Sequence, residues 1–195
     1  MNFKFILSCL LISLVSFAQS RNRIIKKIGD KPIVFIDSAK VDYSQIAKYE
    51  ADQIASFTVL LDKDAVNLMG EDGKDGVIYI ETKKFARIRY WKYFKSKSSD
   101  YFNIVPDLEK EINIQYILND KILNDNFEAN LASIDDQIFK GITIITKDEL
   151  IKKYNIDNKD FGVLINSDVP DNLHNGTEKN DIGIFKELFD VVDFF

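Results

Sequence analysis

An internal repeat is the feature that most constrains how this chain can fold. Residues 31–84 contain short β-branched runs, a polar turn, a helical pattern and a glycine-rich loop, and residues 113–167 repeat them in weaker form. Four pairs of segments correspond in the same order: 35–41 with 116–122, 52–54 with 136–138, 57–60 with 142–145, and 76–79 with 162–165. The offset drifts only from 81 to 86 residues, so the sequence predicts a duplicated unit.

The first copy reads as strand, strand, helix, strand, helix, strand. The apolar run 33–36 and a short return at 40–41 predict a hairpin, and helical spacing within 43–52 predicts a helix with Ser44 as N-cap. A strand over 57–61 leads into a helix over 62–69, which Gly70 should end. The run 77–82 predicts the last strand.

Residues 83–102 form a basic and aromatic stretch with one acid, Asp100. Ile88, Trp91 and Phe94 follow helical spacing, which predicts a helix over about 86–97. Two interpretations stay open. The aromatic rings could pack between the two units while the basic groups stay in water, or the stretch could lie on an anionic membrane surface.

The first residues have the layout of a secretory signal peptide. An apolar run over 5–15 precedes Ser16, Phe17 and Ala18, which place small residues at the two positions that a signal peptidase reads. We therefore expect cleavage after residue 18, and an exported protein that is periplasmic, outer-membrane associated or secreted. The only cysteine, Cys9, lies inside this leader, so we expect neither disulfides nor thiol chemistry in the mature chain.

These observations predict an α+β fold made of two repeated β-β-α-β-α-β units. The expected organisation is given by residue range: a signal peptide 1–18, a first unit 19–84, a basic connecting helix and linker 85–112, a second unit 113–167, and a polar link with a C-terminal helical tail 168–195. The sequence does not decide whether the two units share one core.

The first unit resembles the plug-type module of TonB-dependent outer-membrane receptors. The similarity lies in P-I-V-F-I-D, in I-A-S-F-T-V-L-L-D-K-D-A and in G-K-D-G-V-I-Y-I-E-T-K. It covers about 50 residues directly, but Glu71, Asp72 and Lys74 stand where the family usually has an arginine. No run of ten-residue alternating strands follows, so we expect a plug-like copy without the receptor barrel. The resemblance implies an interaction module and carries no catalytic residues.

A search for chemistry gives no catalytic, metal or cofactor site. His174 is the only histidine and stands in a polar loop, too little for a histidine-rich metal site or a catalytic triad. Gly70, Gly73 and Gly76 could cradle a phosphate, but they lack the lysine and hydroxyl of a P-loop and follow a helix. Turn and cap positions explain these glycines better.

We therefore expect a non-enzymatic interaction module of the bacterial cell envelope, without a cofactor, whose partner is an envelope or outer-membrane protein. Nucleic acid is excluded by export. Two alternatives are peripheral binding to an anionic membrane through 83–102, and a hydrolase with an unrecognised carboxylate site. The predicted interaction surface is listed by residue: Gly70, Gly73, Gly76, Arg87, Arg89, Trp91 and Lys92.

Overall fold

A computed structural model describes residues 28–168 and divides them into two compact units, 28–81 and 82–168. Each unit contains one four-stranded mixed sheet together with helices, which confirms the predicted α+β class. The predicted signal peptide, residues 1–18, and the predicted helical tail lie outside the described residues.

The first unit builds its sheet in the order β2-β1-β4-β3, with β1 antiparallel to β2 and parallel to β4. Its strands are β1 (Ile33–Ile36), β2 (Ala39–Val41), β3 (Ile54–Leu60) and β4 (Val77–Thr82). Its helices are α1 (Asp62–Met69) and three 3₁₀ segments, Tyr43–Lys48, Ala51–Gln53 and Gly70–Asp75. The predicted helix α1 is confirmed. The helix expected within 43–52 is wrong, because two 3₁₀ segments stand there and Asp42, not Ser44, caps the first.

The second unit repeats this topology with the order β6-β5-β8-β7. Its strands are β5 (Ile114–Leu118), β6 (Lys121–Ile122), β7 (Phe139–Thr146) and β8 (Phe161–Ser167). Its helices are α2 (Lys83–Lys97), α3 (Ser99–Ile104), α4 (Glu128–Ala132) and α5 (Lys147–Tyr154), with a 3₁₀ segment at Lys110–Asn113. The basic helix α2 belongs to this unit, whereas the sequence predicted a connection between two units.

The hairpin turns align the two units and correct the predicted register. Both turns have positive φ at their two central residues, Asp37 and Ser38 in one unit and Asn119 and Asp120 in the other. Such φ values are those of the tight turn that matches strand twist. The turns lie 82 residues apart, so Ile36 corresponds to Leu118, and the predicted offset of 81 is wrong by one residue.

The last strands of the two units, β4 and β8, show a similar error of one residue in the predicted register. The amide of Asp37 donates to the Ile80 carbonyl, and the amide of Asn119 donates to the Ile165 carbonyl. Ile80 therefore corresponds to Ile165, an offset of 85 where the glycine match predicted 86. Because successive side chains on a strand point to opposite faces, a slip of one residue exchanges the two faces. The predicted offset of 85 between β3 and β7 agrees with α1 and α5, which begin 85 residues apart.

The sheet of the first unit is covered by mainly aliphatic side chains on both faces, with Phe57 in one core and the stacked Phe35 and Tyr79 rings beside the other. On one face Val34, Ile36 and Ile78 pack with Ile46 of the first 3₁₀ segment. On the other face Ile33 and Val77 pack with Ala65 of α1. Burial of these side chains stabilises the unit by roughly 1.5–3 kcal/mol for each large one.

The sheet of the second unit carries an aromatic layer on one face. Its other face is aliphatic, where Ile117 and Ile145 pack with Leu150 of α5. Along α2 the buried residues are Ala86, Tyr90 and Phe94, spaced four apart, and the Tyr90 ring meets Tyr116 edge-on at 5.8 Å.

The sequence predicted helix α2 from about residue 86 and its core face from Ile88, Trp91 and Phe94. The helix instead begins at Lys83, because the Thr82 hydroxyl accepts from the Phe85 amide at 3.1 Å and caps it. Of the three predicted core residues only Phe94 is buried, whereas Ile88 and Trp91 are half-buried. The buried face is therefore rotated towards Tyr90.

Candidate functional site

A buried carboxylate, Glu111, organises the polar interior of the second unit. Its side chain is only 5% exposed, and both its oxygens accept hydrogen bonds. Oε1 accepts from the hydroxyls of Tyr90 at 2.5 Å and Tyr116 at 2.9 Å, and Oε2 accepts from Arg87 Nε at 2.7 Å. Arg87 Nη2 lies 2.5 Å from the same oxygen. This pairing offsets the cost of removing a charge from water.

Four elements bring these groups together. Helix α2 presents Arg87 and Tyr90 one turn apart, so both reach the same carboxylate. Glu111 lies in the 3₁₀ segment that leads into β5, and Tyr116 lies on β5 itself. Tyr101 of α3 places its hydroxyl 2.8 Å from that of Tyr116. We call these five residues the Glu111 cluster.

The hydroxyls of the Glu111 cluster are kept neutral. Burial raises the pKa of Tyr90, Tyr101 and Tyr116, because a phenolate is poorly solvated there, and the negative charge of Glu111 raises it further. Neutral tyrosines can donate to Glu111 over the whole physiological pH range. Since both carboxylate oxygens are occupied, the cluster holds α2, α3 and β5 together and leaves Glu111 no free oxygen for acid–base chemistry.

A groove of about 730 Å³ lies beside the Glu111 cluster, and residues of the cluster form part of its wall. Leu108, Ile112 and Phe127 give it apolar surface, and Ile112 is 74% exposed. Lys159 also lines it and donates through Nζ to the Ile112 carbonyl at 2.6 Å. The remaining polar lining is Glu109, Gln115, Asn124, Glu128 and Asn158.

One atom in the wall of this groove stands out. The Oε2 atom of Glu128, at the start of α4, is buried and has no hydrogen-bond partner among residues 28–168. Buried acceptors are nearly always paired, so this oxygen can accept from a donor that residues 28–168 do not supply.

A second cavity, of about 550 Å³, is lined by Arg89, Tyr93 and Asp136. Here the polar groups satisfy one another. Arg89 Nη2 donates to the Ala132 carbonyl at 2.5 Å, and Tyr93 donates to Asp136 Oδ1 at 2.9 Å. Lys97 pairs with the same oxygen at 2.6 Å, and its hydrogen bond lowers the pKa of Asp136.

The glycines of the predicted interaction surface all lie in the first unit, at positions that the backbone demands. Gly70 ends α1 with φ 64° and ψ −152°, and Gly76 has φ 96°. A Cβ on Gly73 would lie 2.3 Å from the Ala65 carbonyl oxygen. Backbone geometry therefore explains the three glycines without a phosphate.

The other predicted surface residues lie on α2 and have separate roles. Arg87 belongs to the Glu111 cluster, and Arg89 lines the second cavity. Trp91 is half-buried, and its Nε1 donates to the Val105 carbonyl at 3.0 Å. Lys92 is exposed. Trp91 therefore secures the segment after α3, which favours the structural interpretation of this side chain.

Sequence reasoning missed Glu111 and Glu128. Both stand in ordinary polar stretches, and the partners of Glu111 are 21 and 24 residues before it and five after it. No local spacing signals such a cluster.

Residues 28–168 contain neither a cluster of metal-ligating side chains nor a helix that could cross a membrane. In this range no three side chains of histidine, cysteine, aspartate or glutamate come together as a metal site. None of its helices has the length and apolar character needed to cross a membrane. His174 lies outside the described residues.

Comparison of the chain with protein-family models, curated proteins and solved structures found no match. The resemblance to the plug-type module therefore stays a prediction, and the function is argued from geometry.

Proposed function

We propose that this chain is an exported, non-enzymatic protein-binding module of the bacterial cell envelope. Its partner is an envelope or outer-membrane protein that adds an extended segment to an open sheet edge. The predicted signal peptide and the resemblance to the plug-type module support the compartment. The observation that carries the proposal is the composition of the longer edge strand of each sheet, β3 in the first unit and β7 in the second.

Each sheet has two edge strands without a neighbour on their outer side among residues 28–168, β2 and β3 in the first unit and β6 and β7 in the second. β2 and β6 are only three and two residues long and each contains a lysine, so β3 and β7 are the longer edges. β3 (Ile54–Leu60) has no charged residue and no proline. β7 (Phe139–Thr146) has one charged residue, Lys140, which is paired with Asp168, and its register is irregular between Phe139 and Gly141. Edge strands usually carry charges, bulges or prolines that block pairing with another chain, so β3 is the more open of the two edges.

An open edge of this kind binds a partner through its backbone. Outward N–H and C=O groups bond the added strand, and neighbouring side chains select its sequence. Thr58 on β3 and Thr143 on β7 occupy equivalent positions, 85 residues apart, and both are exposed. Each can therefore be replaced without disturbing a core.

Capture from native envelopes tests the proposal. The tagged chain is cross-linked, solubilised and analysed by mass spectrometry beside Thr58→Lys, Thr143→Lys and the double variant. A lysine on an edge hinders strand addition, so we expect the double variant to lose the dominant partner and one single variant to show which edge binds it. The control is Asn67→Lys, on the exposed side of α1. Equal capture by the double variant and the control would contradict strand addition.

A second candidate function is binding to an anionic membrane surface. Phe102 is 40% exposed, and Lys95 Nζ lies 4.1 Å from the centre of its ring, so an apolar ring and a cation are presented together. Sedimentation with vesicles of phosphatidylcholine and phosphatidylglycerol tests it. Binding should fall as salt rises and should be weaker in Phe102→Ser.

A further inference from the structure

The groove beside the Glu111 cluster has unbalanced charges. Two cations line it, Arg87 and Lys159, and Arg87 pairs with Glu111. Three acids line it, Glu109, Glu111 and Glu128, so the lining has more negative than positive charge. This excess of negative charge favours a cationic ligand.

Glu128 is the stronger of the two candidate counter-ions. Its Oε2 is buried without a hydrogen-bond partner in the described chain, whereas Glu109 is exposed and solvated. An unpaired buried acceptor is unfavourable, and more so when it is charged. A donor that reaches Glu128 recovers this energy, so the gain on binding is concentrated at one residue.

The apolar wall indicates what kind of cation fits. Ile112 is 74% exposed, and Phe127 lines the same groove. A lysine or arginine side chain has an apolar stem and a charged end, so it can cover such a surface while its end reaches a carboxylate. A volume of about 730 Å³ admits this side chain together with its neighbours in a peptide.

We propose that the groove binds a basic side chain of a partner polypeptide, with Glu128 as its counter-ion and with Ile112 and Phe127 against its stem. The amides of Asn124 and Asn158 in the same lining can bond the peptide backbone. The inference rests on the chain binding a polypeptide, as proposed above, but not on strand addition, since the groove contains no residue of β3 or β7.

Two peptides that differ in one charge test this inference. The probes are blocked pentapeptides, Ser-Leu-Lys-Leu-Ser and the same peptide with norleucine in place of lysine, titrated into the ¹⁵N-labelled chain. We expect amide shifts within 108–128 and at Lys159, and at least about tenfold tighter binding of the lysine peptide. Equal affinities, or shifts outside the groove, would overturn the proposal.

Variants assign the preference to one carboxylate. Glu128→Gln should remove most of the tenfold preference, whereas Glu109→Gln, at an exposed acid of the same groove, should change it about twofold or less. Ile112→Ala, at a side chain too exposed to affect folding, should weaken both peptides equally. If Glu128→Gln keeps the preference, or loses its folded spectrum while Ile112→Ala binds like the wild type, the groove is not the site.

The two proposals can fail separately. Thr58→Lys and Thr143→Lys should leave peptide binding unchanged, and Glu128→Gln should leave the strand edges intact. Loss of capture in the edge variants together with equal affinity for both peptides would reject the groove alone. The opposite pattern would reject strand addition alone.

Discussion

The two units share one topology but differ in how they cover the same face of the sheet. In the first unit that face is closed by mainly aliphatic side chains, Phe57 and 3₁₀ segments. In the second it is closed by helix α2, tyrosine rings and an ion pair whose carboxylate is buried. The same strand order is therefore compatible with different kinds of side chains covering the sheet.

One pair of equivalent positions illustrates the difference. Val34 of β1 corresponds to Tyr116 of β5 in the alignment set by the hairpin turns. Valine needs only apolar neighbours, whereas a buried tyrosine also needs a hydrogen-bond partner for its hydroxyl. Tyr116 finds two partners, Glu111 and Tyr101. The larger side chain thus requires a thicker and more polar layer.

The largest effect expected from this difference follows Glu111→Ala. It leaves the buried hydroxyl of Tyr90 without its acceptor and a cavity in place of the Glu111 side chain, while Tyr116 keeps Tyr101 as a partner. The second unit should lose about 2–5 kcal/mol of unfolding free energy. Residue-resolved hydrogen exchange should show lower protection in β5 and β8 and unchanged protection in β1 and β4.

The control for this prediction is Glu109→Ala, which removes an exposed acid two residues away. It should shift protection by no more than about 0.5 kcal/mol. If protection falls equally in both sheets of Glu111→Ala, the units unfold as one, and the energetic side of the comparison is wrong.

The second largest effect concerns stability at alkaline pH, where we expect the second unit to unfold before the first. Burial raises the folded-state pKa of Tyr90, Tyr101 and Tyr116 above the unfolded value of about 10, so their stabilisation is complete below pH 10 and is lost as pH rises through the folded pKa values. Each contributes a loss of about 1.4 kcal/mol per pH unit in this window. In the first unit Tyr43 is the tyrosine whose pKa is raised by burial.

Unfolding followed by NMR at stepwise higher pH checks this order. Cross-peaks of the second unit should disappear first, and Tyr101→Phe should reduce the pH dependence because one titrating group is removed. Simultaneous loss of both sets of peaks would contradict the expected role of the tyrosines.

The smallest effect concerns the ends of two equivalent helices. Gly70 after α1 and Asn155 after α5 both have positive φ, but Gly70 has ψ −152° whereas Asn155 has ψ 39°. The first conformation is open essentially to glycine alone, and the second accepts asparagine. Gly70→Asn should therefore cost about 1–3 kcal/mol, whereas Asn155→Gly should change the stability by no more than about 0.5 kcal/mol. Equal costs in thermal unfolding would mean that the two helix ends are interchangeable.

Local signals account for most of the elements that the sequence predicted. Helix α1 was predicted over the observed residues because Gly70 ends it and the apolar pattern changes there. The strand β4 follows a glycine-rich loop and was also predicted correctly. The repeat was detected, but its register slipped by one residue in β1 and β4, because alternating apolar runs look alike when shifted.

The candidate sites could not be predicted in the same way. The Glu111 cluster joins Arg87, Tyr90, Tyr101 and Tyr116 across three helical segments and a strand. Its residue types are common, and their spacing matches no motif. The groove of Glu128 is likewise formed by segments that meet only in the folded unit.

By itself the sequence determined the α+β class, the presence of a repeat and the bounds of α1 and β4, because helix caps, turns and alternation are properties of neighbouring residues. The tertiary structure alone decided which unit holds the basic helix, which face of that helix is buried and where one carboxylate gathers its partners. These outcomes depend on packing between distant segments, where the burial of rings and the pairing of a buried charge outweigh local preference.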